Sequence, residues 1–488
     1  MPEPGPDGTT EARLFVAGEW CDGAHQVTLN DKFTGDEVGT AHRASRAQVE
    51  RALRALADAQ ASIEWRPYER YEVLARAASL LAERREDAAR TVVVDSGFTI
   101  TDARREVDRA TQTLLLSAEE AKRIVGEMVP VDAAPGGSRR LALTVLHPLG
   151  VICAITPFNS PLNTVLHKVA PALAAGNAVL LKPASATPLT AVYLVRLLLD
   201  AGVPRGLLSV VHGGGGDVGQ WILESEIPAF YAFTGSTEVG AHIRRSVGLR
   251  RTQLEMGSLS STIVCDDADV AACVPLCINA AFRKAGQVCT SVQRLYVQDS
   301  VVDDVLDALQ AGIGGRHSGD PWDERTFVGP LISAGEADRV GAWVGDACAA
   351  GAKIVVGGGR HGSVVEPTVV TNVSNDMKVM CEEVFGPVMV VRAFSRLDSA
   401  IDEVNDTPYG LSAGLFTRDI DRALAAASRL RMGAVHINET SSSRVDLMPY
   451  TGVKASGAGR EGPHWAIREM SEERLITIGP MTRPAPGA

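Results

Sequence analysis

The sequence predicts an α/β protein of more than one domain. Apolar strand-like runs alternate with helical stretches from about residue 150 to about residue 440. A purely helical segment precedes them, and 488 residues are too many for a single hydrophobic core.

The opening "MPEPGPDGTTEARLF" lacks the basic and apolar layout of a signal peptide and reads as a short disordered lead. From Ser45 to about Ile124 apolar residues recur three and four apart, as in "VERALRALADAQASI", which predicts helices. Ser45 followed by Gln48 has the spacing of a capping box at their start. The next stretch, "VGEMVPVDAAPGGSRRLALTVLHPLGV", places two alternating runs around a Pro-Gly-Gly turn and predicts a projecting β-hairpin. Strands are then expected at "GVICAIT", "AVLLKP", "LLSVVHG" and "AFYAFTGS", separated by helices at "LHKVAPALAAG", "LTAVYLVRLLLDAG" and "VGQWILES". A further helix, "TEVGAHIRRSV", follows. Such βαβ spacing means a parallel sheet. Around "LEMGSLSSTIVC" a second unit of the same kind begins, with "SVQRLYVQ", "VVGGGR" and "VMVVRAF" as strands.

The net charge of −11 is spread along the chain, which argues against nucleic acid or an anionic membrane as partner. No apolar run approaches the roughly 20 residues of a membrane span, so a soluble cytoplasmic protein is expected. The 8 cysteines include no CxxC pair, so neither a zinc cage nor a redox pair is suggested, and no metal is expected. Most should be buried small hydrophobes.

In "GGGGDVG", Gly214, Gly216 and Gly219 satisfy GxGxxG between a strand and a helix. The strand is the third of its series, however, where a dinucleotide fingerprint belongs to the first. A glycine-rich turn is the competing explanation. "FTGSTEVG" opens a second helix with Gly-Ser-Thr, leaving backbone N–H groups for an anion; simple capping by Ser236 or Thr237 is compatible with the same residues. Cys289, in "GQVCTS", has small polar neighbours that leave room for a substrate, as a catalytic thiol requires. Glu255, in "QLEMGS", ends an apolar run before a glycine, where a carboxylate could face a cleft as a base. Taken singly, each is as compatible with a structural residue.

Together, "TPFNSP", "LLKPA", "FTGSTEVG", "LEMGS", "GQVCTS", "EEVFGPV" and "GVKASGAGREG", in this order, resemble the aldehyde dehydrogenase superfamily over about residues 12 to 478. The spacing from Glu255 to Cys289 is also that family's. The resemblance implies an α/β fold with a Rossmann-like cofactor domain (1–125 and 149–256) and a catalytic domain (257–448). It also implies an oligomerisation arm and C-terminal segment (126–148 and 449–488). By the same resemblance the protein is a homodimer or homotetramer, because the hairpin's exposed edges need covering.

The resemblance implies Cys289 as nucleophile, Asn159 as oxyanion-hole donor and Glu255 as the base that activates water. NAD or NADP would be the cofactor, and a small-molecule aldehyde the substrate. Lys182 would bond the adenosine ribose, with Ser185 beside it, and Gly215 and Gly219 would flank the adenine. Gly235 and Ser236 would turn at the pyrophosphate, with Thr234, Thr156 and Phe158 in the adjoining motifs. Glu383 would grip the nicotinamide ribose, with Phe385 packed nearby. The sequence departs from the family in two places. Ser185 in "KPAS" replaces a carboxylate that would repel a 2′-phosphate, so NADP should be tolerated. Ser258 stands where glycine is common and could crowd the turn beside Glu255.

"RVDLMPYTGVKASG" and "GQVCTSVQR" look closest to the branch that includes lactaldehyde, non-phosphorylating glyceraldehyde-3-phosphate and phosphonate-aldehyde dehydrogenases. Arg109 and Arg444 fall on segments that border the substrate tunnel in that family and would suit an anionic substrate. The alternative is that each pairs with an acid such as Glu106 or Asp446. A CoA-acylating relative or a cofactor-free thioesterase is the competing activity; Glu255 favours water as acceptor, and "FTGSTEVG" and "EEVFGPV" favour a cofactor.

Overall fold

The computed structural model describes residues 10–135 and 140–479. Its core is built on two large sheets. The first runs in the order Gly457–Ala458, Arg251–Glu255, Pro228–Thr234, Val151–Ile155, Ala178–Lys182, Leu208–Val210, Leu14–Val16, Glu19–Cys21. Its five central strands, from Arg251–Glu255 to Leu208–Val210, are parallel. They are nearly continuous runs of buried residues, as a sheet covered on both faces requires. The second sheet runs Lys353–Val356, Thr368–Thr371, Val388–Phe394, Arg294–Gln298, Ser261–Val264, Ser412–Phe416, Ala434–Ile437. All its pairings are parallel except that of the edge strand Lys353–Val356.

The parallel register decides where chemistry can sit. Ile155 pairs with Lys182 and with Phe233, and Thr234 pairs with Glu255, so the carboxyl ends of these strands share one edge. That edge is where open α/β sheets bind ligands. The capping box expected at Ser45 and Gln48 is present and starts the helix Arg46–Ser62. The helix Ile100–Ala121, capped by Thr99, lays its buried face on the helix Asn163–Ala175. Among the described residues no helix is long and apolar enough to cross a membrane.

The structure departs from the sequence reading in four places. The expected hairpin is short on its first run: Met128 bridges Leu143 antiparallel, with Val129 N–H donating to the carbonyl of Ala142 and Thr144 N–H to that of Glu127, before a 3-10 turn at Val131–Ala133. The second run, Leu141–Pro148, also pairs over its whole length with Ser471–Ile478, and most of the Pro-Gly-Gly turn lies outside the described residues. The strand expected at "VVGGGR" stops at Val356, because Gly357 and Gly358 turn left-handed at φ +80° and +92°. A Cβ at Gly357 would stand 2.0 Å from the carbonyl oxygen of Pro367. The C-terminal segment is more than an arm: Gly457–Ala458 edges the first sheet and the helix Pro463–Glu469 packs on Asn163–Ala175. Finally, four cysteines, Cys153, Cys265, Cys273 and Cys277, are buried as small hydrophobes, whereas Cys381 is exposed.

Candidate active site

Two cavities meet at Cys289. One, of about 450 Å³, opens at the carboxyl edge of the first sheet; the other, of about 550 Å³, lies between the helix Ile100–Ala121 and the loop carrying Arg444. Asn159 and Cys289 line both.

The loop that presents Cys289 is held by an unusual backbone. Lys284, Ala285 and Gly286 are all left-handed, at φ 52°, 54° and 69°. A Cβ at Gly286 would stand 2.1 Å from the carbonyl oxygen of Gly386. Such conformations persist only when the surroundings over-determine them. Here Lys284 supplies that restraint. Its N–H donates to Asp102 (2.8 Å), and its Nζ donates to Glu106 (2.6 Å) and to the carbonyl of Asn159 (3.0 Å). The amide of Asn159 in turn donates to the carbonyl of Gln287 at 2.9 Å, so the two loops are tied together beside the thiol. Cys289 is half-buried; burial pushes its thiol up to about 11, opposed by a hydrogen bond with Tyr450. Sγ and the Tyr450 hydroxyl are 3.0 Å apart.

Glu255 ends its strand paired with Thr234 on one side and Gly457 on the other. It is buried, and among the described residues neither carboxylate oxygen has a hydrogen-bond partner. Burial and the nearby Glu461 push it well above the usual carboxylate range, against the pull of Lys168 and Arg444. It lines neither cavity, although the next residues, Met256 and Gly257, line the first.

The first cavity collects nearly all the residues assigned to the cofactor: Thr156, Phe158, Lys182, Gly215, Gly219, Thr234, Gly235, Ser236, Glu383 and Phe385. Ser185 is outside the lining, its hydroxyl donating to the carbonyl of Gly213 at 3.1 Å. Ser236 caps the helix Thr237–Ser246 through Val239 N–H. The rings of Phe158 and Phe385 meet edge-on at 5.8 Å. Burial lowers Lys182 to about 8 and raises Glu383 to about 7. Ser258 does not crowd Glu255: its N–H donates to Glu383 (3.0 Å) and its hydroxyl meets that of Ser260 at 2.8 Å. A nicotinamide dinucleotide fits this lining. Among the described residues the buried hydroxyls of Thr156 and Thr234 have no partner, and Gly215 has nothing within 4 Å of where a side chain would begin.

The profile of the aldehyde dehydrogenase family matches residues 20–476. The chain belongs to the aldehyde dehydrogenase family. It is 46% identical to a 3-sulfolactaldehyde dehydrogenase of Priestia aryabhattai over 465 residues, 95% of this chain and 97% of that one. It is 35% identical to the Escherichia coli succinate-semialdehyde dehydrogenase [NADP(+)] GabD, over 96% of this chain and 98% of that one. The NADP-dependent glyceraldehyde-3-phosphate dehydrogenase of Bacillus halodurans, solved with NADP, superposes with a TM-score of 0.94 at 33% identity, covering 96% and 99% of the two chains. Membership makes the chain an NAD(P)-dependent oxidoreductase of aldehydes.

In the substrate-side cavity the structure follows the alternative named for the two arginines, pairing with acids, over the anion-receptor reading. Arg109 and Arg444 do line it, but neither cation is free. Arg109 makes a two-pronged pair with Asp446 (2.7 and 3.2 Å). Arg444 donates to Glu461 at 2.6 Å and lies 3.9 Å over the ring of Tyr450. Glu106, the other acid considered for Arg109, is taken by Lys284. The cation that sequence reasoning missed is Arg283. It lines the cavity and donates to the hydroxyl of Ser442 at 2.7 Å, which also meets Thr290. Among the described residues no carboxylate pairs with it. Burial and the neighbouring Arg109 both lower its pKa. Its place six residues before Cys289, on the same loop, was the available signal. Lys168, fully buried against Glu461 at 2.9 Å, was also missed.

Proposed function

We propose that this enzyme oxidises a small aldehyde bearing an anionic group to the carboxylic acid, through a thioester on Cys289. The observation that carries the reading is Arg283. The other cations named in the cavity are neutralised, Lys284 by Glu106, Arg109 by Asp446 and Arg444 by Glu461. A partly buried guanidinium without a counter-charge is costly, and a substrate anion would supply the missing charge through paired N–H donors. A sulfonate or carboxylate is favoured, because relatives named for 3-sulfolactaldehyde and succinate semialdehyde cover nearly the whole chain.

In this reading the sulfur of Cys289 attacks the carbonyl carbon, forming an S–C bond while the C=O electron pair moves to oxygen. Asn159 keeps one amide N–H on Gln287; the other, with the backbone N–H of Cys289, receives the oxyanion. Such a donor is worth on the order of 2.7–4 kcal/mol in the transition state. A nicotinamide dinucleotide held in the first cavity would supply the acceptor for the hydride that leaves the tetrahedral carbon. Lys182, Thr234, Ser236 and Glu383 would hold and orient that cofactor, and Ser185 offers no carboxylate against a 2′-phosphate. Glu255 then takes a proton from the water that adds to the thioester, and the C–S bond breaks to release the acid.

The test is a panel of aldehydes with both cofactors. kcat/KM for 3-sulfolactaldehyde or succinate semialdehyde should exceed that for propanal at least about tenfold, and NADP should be accepted. Equal rates with propanal would remove the anion from the account. We also propose that two or four copies associate through the arm, where Leu141, Leu475, Ile476 and Ile478 are exposed on the paired strands. A monomer in sedimentation would overturn that.

A further inference from the structure

We propose that Tyr450, with Arg444 stacked on its ring, is the hydrogen-bond donor that holds Cys289 as a reactive thiolate. This rests on the reading of Cys289 as the nucleophile.

A thiol must ionise to attack, yet the surroundings of Cys289 oppose ionisation. The sulfur is in a desolvated position, and Glu383 and Glu255 both face it with potential negative charge. Arg283 stands on the same loop but is turned to Ser442. Among the described residues Tyr450 is the side chain that hydrogen-bonds Sγ, at 3.0 Å. The phenol is in turn covered by Arg444, whose guanidinium carbon lies 3.9 Å from the ring centroid. A cation over the ring withdraws electron density from it and makes the O–H a stronger donor. Arg444 is fixed there by Glu461 at 2.6 Å. Its charge also favours the thiolate directly, as does the hydrogen bond from Tyr450. Arg444 therefore serves as a positioning residue, which accounts for an arginine in the substrate cavity that is not available to substrate.

The step balances simply. The thiol proton leaves to water, the phenol keeps its own proton, and the O–H points at the anionic sulfur. When the sulfur's charge passes into the new S–C bond, the hydrogen bond loses its anionic acceptor. Tyr450 thus favours the thiolate before attack without trapping the thioester after it.

The experiment reads the thiol itself, without turnover, so this inference and the proposed reaction fail separately. The rate of iodoacetamide alkylation at Cys289 is followed against pH by peptide mass spectrometry, in the native enzyme, Tyr450→Phe and Arg444→Lys. Tyr450→Phe keeps the ring and lies outside the cofactor cavity, so unchanged NADP binding confirms an intact fold. The expected result is an apparent pKa raised by about one unit in Tyr450→Phe, making alkylation at pH 7 about tenfold slower. Arg444→Lys, which keeps a charge but not the planar stack, should shift it in the same direction by less. An unchanged profile in Tyr450→Phe overturns the proposal. So does faster alkylation, which would mean that the thiol donates to the phenol and is restrained by it.

Discussion

Glu255 and Glu461 are two buried carboxylates pushed in opposite directions by their partners. Glu461 accepts from Lys168 at 2.9 Å and from Arg444 at 2.6 Å, and stays well below the usual carboxylate range. Glu255 has neither bond; burial and repulsion from Glu461 raise it well above that range. One pair of acids thus supplies a fixed charge and, in the proposed reaction, a base that ionises late.

That contrast fixes a pH dependence. A general base works only when ionised, so steady-state turnover should rise with pH through a value above the ordinary 4.3 or so of glutamate. Glu255→Gln should lower kcat by about 10²–10⁴-fold while leaving the first hydride transfer, seen as a burst of about one reduced cofactor per site. Rapid-mixing absorbance measures both. A burst lost together with turnover would mean that Glu255 acts earlier than proposed.

Arg283→Ala should reduce kcat/KM for an anionic aldehyde by about 10- to 150-fold, the value of a charged hydrogen bond. Its rate with propanal should hardly change. Arg109→Ala, whose guanidinium belongs to Asp446, should affect both substrates alike.

Acid stability follows from the same network. Asp446 is held below its usual range, against burial, by His167 and Arg109, as Glu461 is by Lys168 and Arg444. Depressed carboxylates contribute stability that is complete above their unfolded values near 4, and it is lost as pH falls below them. Glu255 has the opposite sign, since its raised pKa makes ionisation at higher pH a cost. Lys168→Met leaves Glu461 short of a buried partner and should cost about 3–5 kcal/mol at neutral pH. Urea unfolding measures it.

The placement of the candidate residues was legible wherever one residue in one local context decides it. Cys289, Asn159 and the glycine turns stand where their motifs put them, because a strand end or helix start fixes each locally. What could not be read were the pairings made across the fold. Arg109 meets Asp446 337 positions away, and Lys284 meets Glu106 178 positions away. Whether a cation is free is a property of those partners, so the sequence left Arg109 and Arg444 open between anion receptor and ion-pair member and passed over Arg283. The arm was incomplete for a related reason: alternation marked Leu141–Pro148 as a strand but not its longer partner, Ser471–Ile478.

Ser185 tests the cofactor reading. Its hydroxyl sits against the carbonyl of Gly213 at 3.1 Å, beside the glycine turn that lines the cofactor cavity. Ser185→Glu should restore repulsion toward a 2′-phosphate and lower the ratio of kcat/KM for NADP over NAD by at least about tenfold. An unchanged ratio would place the 2′-phosphate elsewhere.

The central claim is a covalent bond from Cys289 to the substrate's carbonyl carbon. Glu255→Gln, mixed with NADP and an anionic aldehyde and quenched in acid, should carry the acyl group on the peptide containing Cys289. The added mass should be that of the aldehyde less two hydrogens. An unmodified Cys289 peptide in a sample that has already produced one reduced cofactor per site would contradict the account.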